Sequence, residues 1–355
     1  MVSPLILATG LPRAGVSTRM AALRLALAQD NGFTGYEVDQ DGAVANSQLN
    51  EKEFDLVHRM LNQDAGTSSV HARSTALAEP RHFRIKAGPY NNRVEVWERT
   101  YADAKRALED HEPDGVVISV PIETESGGGA EVQLDTLIQP LRTKYWSESG
   151  SGKRPWVILE LTQYETLFCQ TVPEMVASTD PRGNATPYTF ALRSDVQKIA
   201  ARSFCLRWRG SNELTRLVSA ERRRCAPSKQ RRPQAPPRVM VQVSSAWGFL
   251  VGGAGPSMRH PANCRHPAEA SDGLQTPRFP RLDEVQKRAL AALKFGASSY
   301  SIINLRDDIK AVEQLTQRFL QVWKPIGVVE PIPSIVWRKP APNMHWVPDL
   351  MPDES

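Results

Sequence analysis

The sequence lacks any long hydrophobic run, and it contains only four cysteines in 355 residues. No stretch approaches the roughly 20 apolar residues that a membrane-spanning helix needs. The four cysteines are widely scattered, which is typical of reduced thiols and not of a disulfide framework. The first apolar run is too short for a signal peptide, and no basic residue precedes it. We therefore expect a cytoplasmic protein with no membrane contact.

Excess charge is absent from most of the chain and is confined to one segment. The net charge is +5, but segment 216–238 holds eight Lys or Arg and one acidic residue, which leaves the remainder at −2. A uniformly basic nucleic-acid binder is therefore not expected. The stretch Arg222–Arg232 is a candidate contact for nucleic acid or for an acidic protein. No aromatic residue interleaves it to stack bases, which favours a solvated or partner-facing loop.

Apolar, β-branched runs alternate with segments of helical periodicity along the chain, at 41% apolar content. This alternation predicts an α/β fold with a doubly wound, mainly parallel sheet. The predicted strands lie near 5–8, 36–38, 83–85, 115–120, 156–161 and 239–243, and the predicted helices near 17–29, 51–61, 94–110, 132–141, 194–208, 212–224, 283–295 and 307–323.

We expect one domain over residues 1–324, followed by a Pro- and Trp-rich tail over residues 325–355. The domain carries a basic loop insertion at 216–238 and a mobile Gly/Pro/His loop at 251–280. Four apolar tail residues either dock a partner or cover the core: Trp337, Met344, Trp346 and Val347.

The first strand runs into a glycine-bounded loop, Gly10–Thr18, and a helical pattern follows at once. The spacing of Gly10, Gly15 and Ser17 is that of a loop whose backbone N–H groups and helix N-terminus cradle a phosphate. Val16 stands where such a loop carries a lysine that reaches the outer phosphates. The alternative is a tight strand-to-helix turn without a ligand.

With the motifs downstream, this loop resembles the P-loop GTPases of the TRAFAC class, including the large bacterial versions with insertions between motifs. The resemblance covers most of residues 4–330 and implies binding of GTP or GDP with Mg²⁺. It implies that Ser17 ligates the metal and that Thr18 lies near the inner phosphate. Val16 cannot supply the charge that dominates phosphoryl-transfer catalysis, and Arg13 is a candidate to compensate.

Two later turns stand where the resemblance expects base recognition. The first, Thr162-Gln163-Tyr164-Glu165, follows a buried strand; Glu165 would accept the guanine N–H donors, while Gln163 replaces a lysine. An equal alternative is an ordinary helix start, with Thr162 as N-cap and Glu165 as its capping-box partner. The second contains Ser245 and Ala246, and the Ala246 N–H would meet the guanine carbonyl oxygen.

Other expected parts are weak or missing. Thr67 and Thr75 are first-switch candidates, in a polar loop that supplies such residues by chance. The second-switch carboxylate is absent from Ala87–Tyr90, the turn after the strand at 83–85, and Glu123 or Glu125 would have to approach a metal from another direction. His260, Cys264 and His266 lack a fourth ligand, so a solvated loop is favoured over a zinc site. No catalytic residue can be named.

The losses fall on three positions that contact nucleotide or metal: the loop lysine, the switch carboxylate and the base-site lysine. We therefore predict a degenerate GTPase-like protein, hydrolysing GTP poorly or not at all and acting as a nucleotide-sensing or structural subunit with a protein partner. One alternative is an active GTPase in which Arg13 or a partner's arginine supplies the missing charge. Another is a nucleic-acid-binding adaptor that works through Arg222–Arg232.

Overall fold

A computed structural model of the chain describes residues 3–27, 34–38, 81–87, 90–122, 129–147, 153–167, 191–226, 237–250 and 323–351, with residues 310, 314 and 320 singly. In chain order the elements are β1 (Leu5–Gly10), α1 (Val16–Leu27), β2 (Thr34–Val38), β3 (Arg81–Ala87), β4 (Tyr90–Glu98), α2 (Tyr101–Asp110), β5 (Gly115–Pro121), α3 (Gly129–Tyr145), β6 (Trp156–Thr162), α4 (Ser194–Arg207), a 3₁₀ turn (Trp208–Gly210), α5 (Asn212–Cys225), β7 (Val239–Val243), β8 (Ser245–Leu250), β9 (Trp323–Ile326), α6 (Pro331–Trp337), β10 (His345–Trp346) and α7 (Val347–Leu350).

One sheet organises these elements, in the order β10-β7-β6-β5-β1-β4-β3-β2. Its five central strands, from β7 to β4, run parallel. The strands at both edges pair antiparallel, and β8 and β9 form a separate ribbon. The mainly parallel α/β sheet predicted from the sequence is therefore confirmed.

Each face of the sheet has its own hydrophobic core, because successive side chains of a strand point to opposite faces. In β5, Val116 and Ile118 pack in the core that α2, α3, α4 and α5 cover. Val117 packs on the other side, in the core that α1, β9 and α6 cover. Helices on both faces are what a doubly wound sheet requires. Among the described helices, none is both long and apolar enough to cross a membrane.

The predicted helix over 94–110 is wrong over residues 94–100, because β4 continues to Glu98 and the helix begins at Tyr101. Val94 and Val96 are buried, while Arg93 and Glu95 between and beside them are partly exposed. That period of two is typical of a strand, and the predicted helix wrongly includes it. The helix begins only at Tyr101, where the Thr100 side chain accepts a hydrogen bond from the N–H of Asp103 and caps it.

The tail beyond residue 324 packs on both cores. β10 pairs antiparallel with β7, with His345 opposite Val241. Met344 is buried in the core that contains α1, and Val347 is buried in the opposite core. Of the two alternatives for the tail, these residues therefore agree with a cover over the core. The predicted helices at 51–61 and 283–295, most of the helix at 307–323, and the loop at 251–280 lie outside the described residues.

Candidate functional site

The bend between β1 and α1 lies at the carboxyl edge of the parallel strands, where doubly wound sheets bind ligands. A side chain at Gly10 would bring its Cβ to 2.5 Å from the carbonyl oxygen of Ser119 in β5. The Leu11 N–H donates to the same oxygen at 3.0 Å, so the bend is held tightly against β5. Gly15 has φ of 72°, which only glycine adopts without strain. Ser17 and Thr18 follow in the first turn of α1.

Two residues without the freedom of glycine also have left-handed backbone at this edge. Arg13 has φ of 67° and Gln163 has φ of 62°. The two are in contact, since the Gln163 side-chain amide donates to the Arg13 carbonyl at 3.2 Å. Such conformations cost about 1–3 kcal/mol each and cluster at functional sites. The contact also brings the turn after β6 to the mouth of the bend after β1.

A carboxylate faces the first turn of α1, and sequence reasoning missed it. The Ser17 hydroxyl donates to the Glu98 carboxylate. Glu98 is the last residue of β4, it pairs with Ala8 in β1, and its side chain is buried. Apolar and charged residues alternate over Arg93–Val96, and this strand-like period was the signal that could have placed Glu98 at the end of β4.

Ser17 and Glu98 together suit a hard cation. Mg²⁺ at phosphate sites keeps one or two carboxylate or hydroxyl ligands and takes the rest of its shell from phosphate and water. Among the described residues, no group of three or more His, Cys, Asp or Glu could hold a metal ion. Ser17 and Glu98 thus provide one hydroxyl and one carboxylate at the start of α1.

The turn after β6 joins the end of β7 by backbone hydrogen bonds. The Tyr164 N–H donates to the Ser244 carbonyl at 3.1 Å. Thr162 Oγ1 and Ser244 Oγ are both buried, and neither has a hydrogen-bond partner in the described part of the chain. The Thr162 hydroxyl therefore caps no helix among the described residues, although helical residues do begin at Thr166, just after this turn. Two orphaned hydroxyls beside the buried Glu165 are polar groups that a ligand with several N–H and O–H groups could satisfy.

Ser245 and Ala246 lie in β8 and do not form an open turn. Ser245 pairs with Ile326 of β9, and its hydroxyl accepts a hydrogen bond from the Gly248 N–H. Only Ser244 separates β7 from β8. The chain therefore passes from the main sheet into the small ribbon at the position predicted for a base contact.

A buried ion pair lies behind the bend, and it too was missed. Arg19 Nε in α1 is 2.8 Å from Glu160 Oε1 in β6, and both side chains are essentially inaccessible to solvent. The Ser119 hydroxyl donates to the other Glu160 oxygen at 3.0 Å. Arg19 Nη2 donates to the Val328 carbonyl at 3.1 Å. A glutamate within the otherwise apolar run of β6 was the available signal, because a buried charge needs a partner.

The three consecutive arginines of the basic segment, Arg222–Arg224, make different contacts. Arg222 donates to the carbonyl oxygens of Pro348 and Met351 at the end of the tail. Arg224 pairs with the buried Glu221, 2.6 Å away. Two of the three consecutive arginines thus hold the protein together, which weakens the nucleic-acid alternative.

The remaining candidates lie outside the described residues: Thr67, Thr75, Glu123, Glu125, His260, Cys264, His266 and all of Lys229–Arg232. Comparisons with protein-family models and with curated proteins give no match to this chain.

Proposed function

We propose that this chain is a degenerate GTPase-like protein. It binds a guanine nucleotide weakly at the carboxyl edge of the sheet and hydrolyses it poorly or not at all. It acts as a nucleotide-sensing or structural subunit in an assembly with a protein partner. The observation that carries the proposal is the meeting of the Gly10–Thr18 bend, Glu98 and the Thr162–Glu165 turn at one edge.

The phosphate side of the site would use backbone more than side chains. A helix leaves its first four N–H groups without intrahelical partners, and the start of α1 directs these groups into the bend. Mg²⁺, when bound with the nucleotide, would neutralise phosphate charge and hold the outer oxygens. Ser17 would be its hydroxyl ligand, and Glu98 would hold Ser17 or a metal-bound water in place.

Weak binding and slow hydrolysis follow from the chemistry of position 16. Val16 packs partly against the core that contains α1 and offers no donor. Phosphoryl transfer depends on electrostatic stabilisation of charge on the transferred group, and position 16 lacks the cation that would provide it. Without a lysine at position 16, the nucleotide would be held only by backbone N–H groups, by the metal and by contacts to the base.

The base side would use the turn after β6. Glu165 is the carboxylate that would accept two guanine N–H groups, and Thr162 and Ser244 add the orphaned hydroxyls described above. The Gln163–Arg13 hydrogen bond supports this arrangement, because it sets the distance between the base side and the phosphate side of one ligand.

The test is a titration of the purified chain with fluorescent GTP in the presence of Mg²⁺. Val16→Lys is expected to tighten GTP binding by about tenfold or more, because one hydrogen bond to a charged group contributes roughly 1.5–3 kcal/mol. The matched control is Val132→Lys on α3, which adds the same charge at an exposed position. It should leave GTP affinity unchanged. If neither the natural chain nor Val16→Lys binds GTP, the proposal fails.

A second experiment examines the metal. In the natural chain, Mg²⁺ should strengthen GTP binding, and in Glu98→Gln this gain should disappear because the carboxylate that organises the cation is lost. Without Mg²⁺ the variant should bind GTP as well as the natural chain or better, since a negative charge near the phosphates is removed. Glu95→Gln, on the same strand but the opposite face, is the control. An equal response of all three proteins to Mg²⁺ would refute the role of Glu98.

Arg13 favours one alternative, an active GTPase. It is exposed within the bend, and its left-handed backbone is held by Gln163. Multiple turnover of GTP by the isolated chain, abolished in Arg13→Gln, would support that alternative over the degenerate protein that we favour.

A further inference from the structure

A cleft of about 350 Å³ lies between α3 and α5, on the face of the sheet and away from the bend after β1. Arg216, Ser219 and Arg223 are spaced at i, i+3 and i+7, so they lie on one side of α5. Arg142 and Trp146 approach from α3 and its end. The cleft thus combines three guanidinium groups with hydroxyls and one aromatic ring.

The acidic groups nearby do not neutralise these arginines. Glu213 pairs with both Arg142 and Arg216, the latter at 3.0 Å. Each of the two arginines meets Glu213 through one guanidinium nitrogen, and a guanidinium carries five N–H donors, so donors remain for a further acceptor. Glu221 lies behind Trp146, whose indole N–H donates to it at 2.8 Å, and its charge is taken up by Arg224. Among the described residues, one carboxylate, Glu213, pairs with the arginines of the cleft, which leaves an excess of two positive charges there.

The geometry points to a single dianionic group, and we propose that this cleft binds one phosphate group, either free or as the monoester of a protein side chain. Arginine forks match the oxygens of phosphate, and a phosphate at neutral pH carries about two negative charges. A polynucleotide would require a longer row of cations and stacking rings. Arg222 and Arg224, the neighbours of Arg223, are instead bound to the protein's own carbonyl and carboxylate oxygens.

The test uses the full chain and a fluorescent tripeptide, Gly-phosphoSer-Gly, with its unphosphorylated twin. The phosphopeptide should bind and the twin should not. Arg223→Gln should weaken binding by about tenfold, because one charge-assisted contact is lost from an exposed residue whose removal leaves the fold intact. Arg202→Gln removes the same charge from an exposed position on α4 outside the cleft, and it should bind like the natural chain.

Two further arms identify the source of the phosphate. Displacement of the peptide by inorganic phosphate in the same concentration range indicates a free phosphate site, and resistance to displacement indicates a phosphorylated side chain. Either result supports the cleft as a phosphate site. Equal losses in Arg202→Gln and Arg223→Gln, equal binding of the twin, or tighter binding of single-stranded RNA that Arg223→Gln weakens with a steep salt dependence would overturn it.

Discussion

Replacing Arg19 with methionine is expected to lower the free energy of unfolding by about 3–5 kcal/mol, because the change leaves the Glu160 carboxylate buried without its cation. The Ser119 hydroxyl still donates to that carboxylate, but one neutral donor cannot balance a charge in the interior. The loss should be visible as a lower midpoint of denaturant unfolding at unchanged slope. Nucleotide binding should weaken as well, because the pair fixes α1 against β6.

Two controls separate the buried pair from arginine content in general. The double variant Arg19→Met, Glu160→Leu removes both charges and should recover much of the stability, as replacements of buried ion pairs by apolar residues often do. Arg106→Met removes an exposed arginine that pairs with Asp110 on α2, and it should change stability little. A stable Arg19→Met single variant would show that the pair contributes far less than its burial indicates.

Gly327→Ala is expected to destabilise the protein by about 3 kcal/mol or more. Gly327 has φ of 71°, and an added Cβ would lie 2.2 Å from the Val243 carbonyl oxygen, which is backbone and cannot move aside cheaply. Left-handed strain and overpacking each cost roughly 1–3 kcal/mol. The change would also shift the Gly327 carbonyl, which accepts a hydrogen bond from the buried Gln242 side chain at 2.7 Å.

Gly129→Ala is the matched control for this substitution. Gly129 is the first residue of α3, and nothing lies within 4 Å of an added Cβ. Because alanine restricts the unfolded chain, this variant should be as stable as the natural protein or about 0.4–1 kcal/mol more stable. Thermal unfolding followed by circular dichroism compares the two directly. Similar melting temperatures for both variants would contradict the tight packing of Gly327.

The elements that could be predicted from the sequence are those whose hydrophobic residues show a clear helical or strand period. The strand-bend-helix over β1 and α1, the apolar runs of β5, β6 and β7, and the helices α3 to α5 were all predicted, because each is long enough to show its period. β4 was missed because its alternation includes a tryptophan and two glutamates, and these were absorbed into a helical pattern. No element of the tail was predicted, since its elements are only two to seven residues long and rich in proline.

Only those residues of the candidate site that lie within a short sequence motif could be predicted. Gly10, Gly15 and Ser17 lie within eight residues of one another, so their spacing alone predicts the loop. The turn at Thr162 was predictable because it directly follows an apolar, buried strand. Glu98 and the Arg19–Glu160 pair depend on which strands are neighbours in the sheet. No local sequence pattern shows which strands are adjacent in the sheet. A single glutamate in an apolar strand does indicate that it has a partner, but not which residue that partner is. The cleft arginines come from two helices about 75 residues apart in the sequence and could not have been grouped in advance.

The pairing of β10 with β7 has a consequence for the order of assembly during synthesis. Until residues 345 and 346 leave the ribosome, the outer side of β7 has no neighbour on that side of the sheet, and its unpaired N–H and C=O groups are a template for any extended chain nearby. During synthesis of the roughly one hundred residues between β7 and β10, we therefore expect this edge of the sheet to be open to pairing with other extended chains.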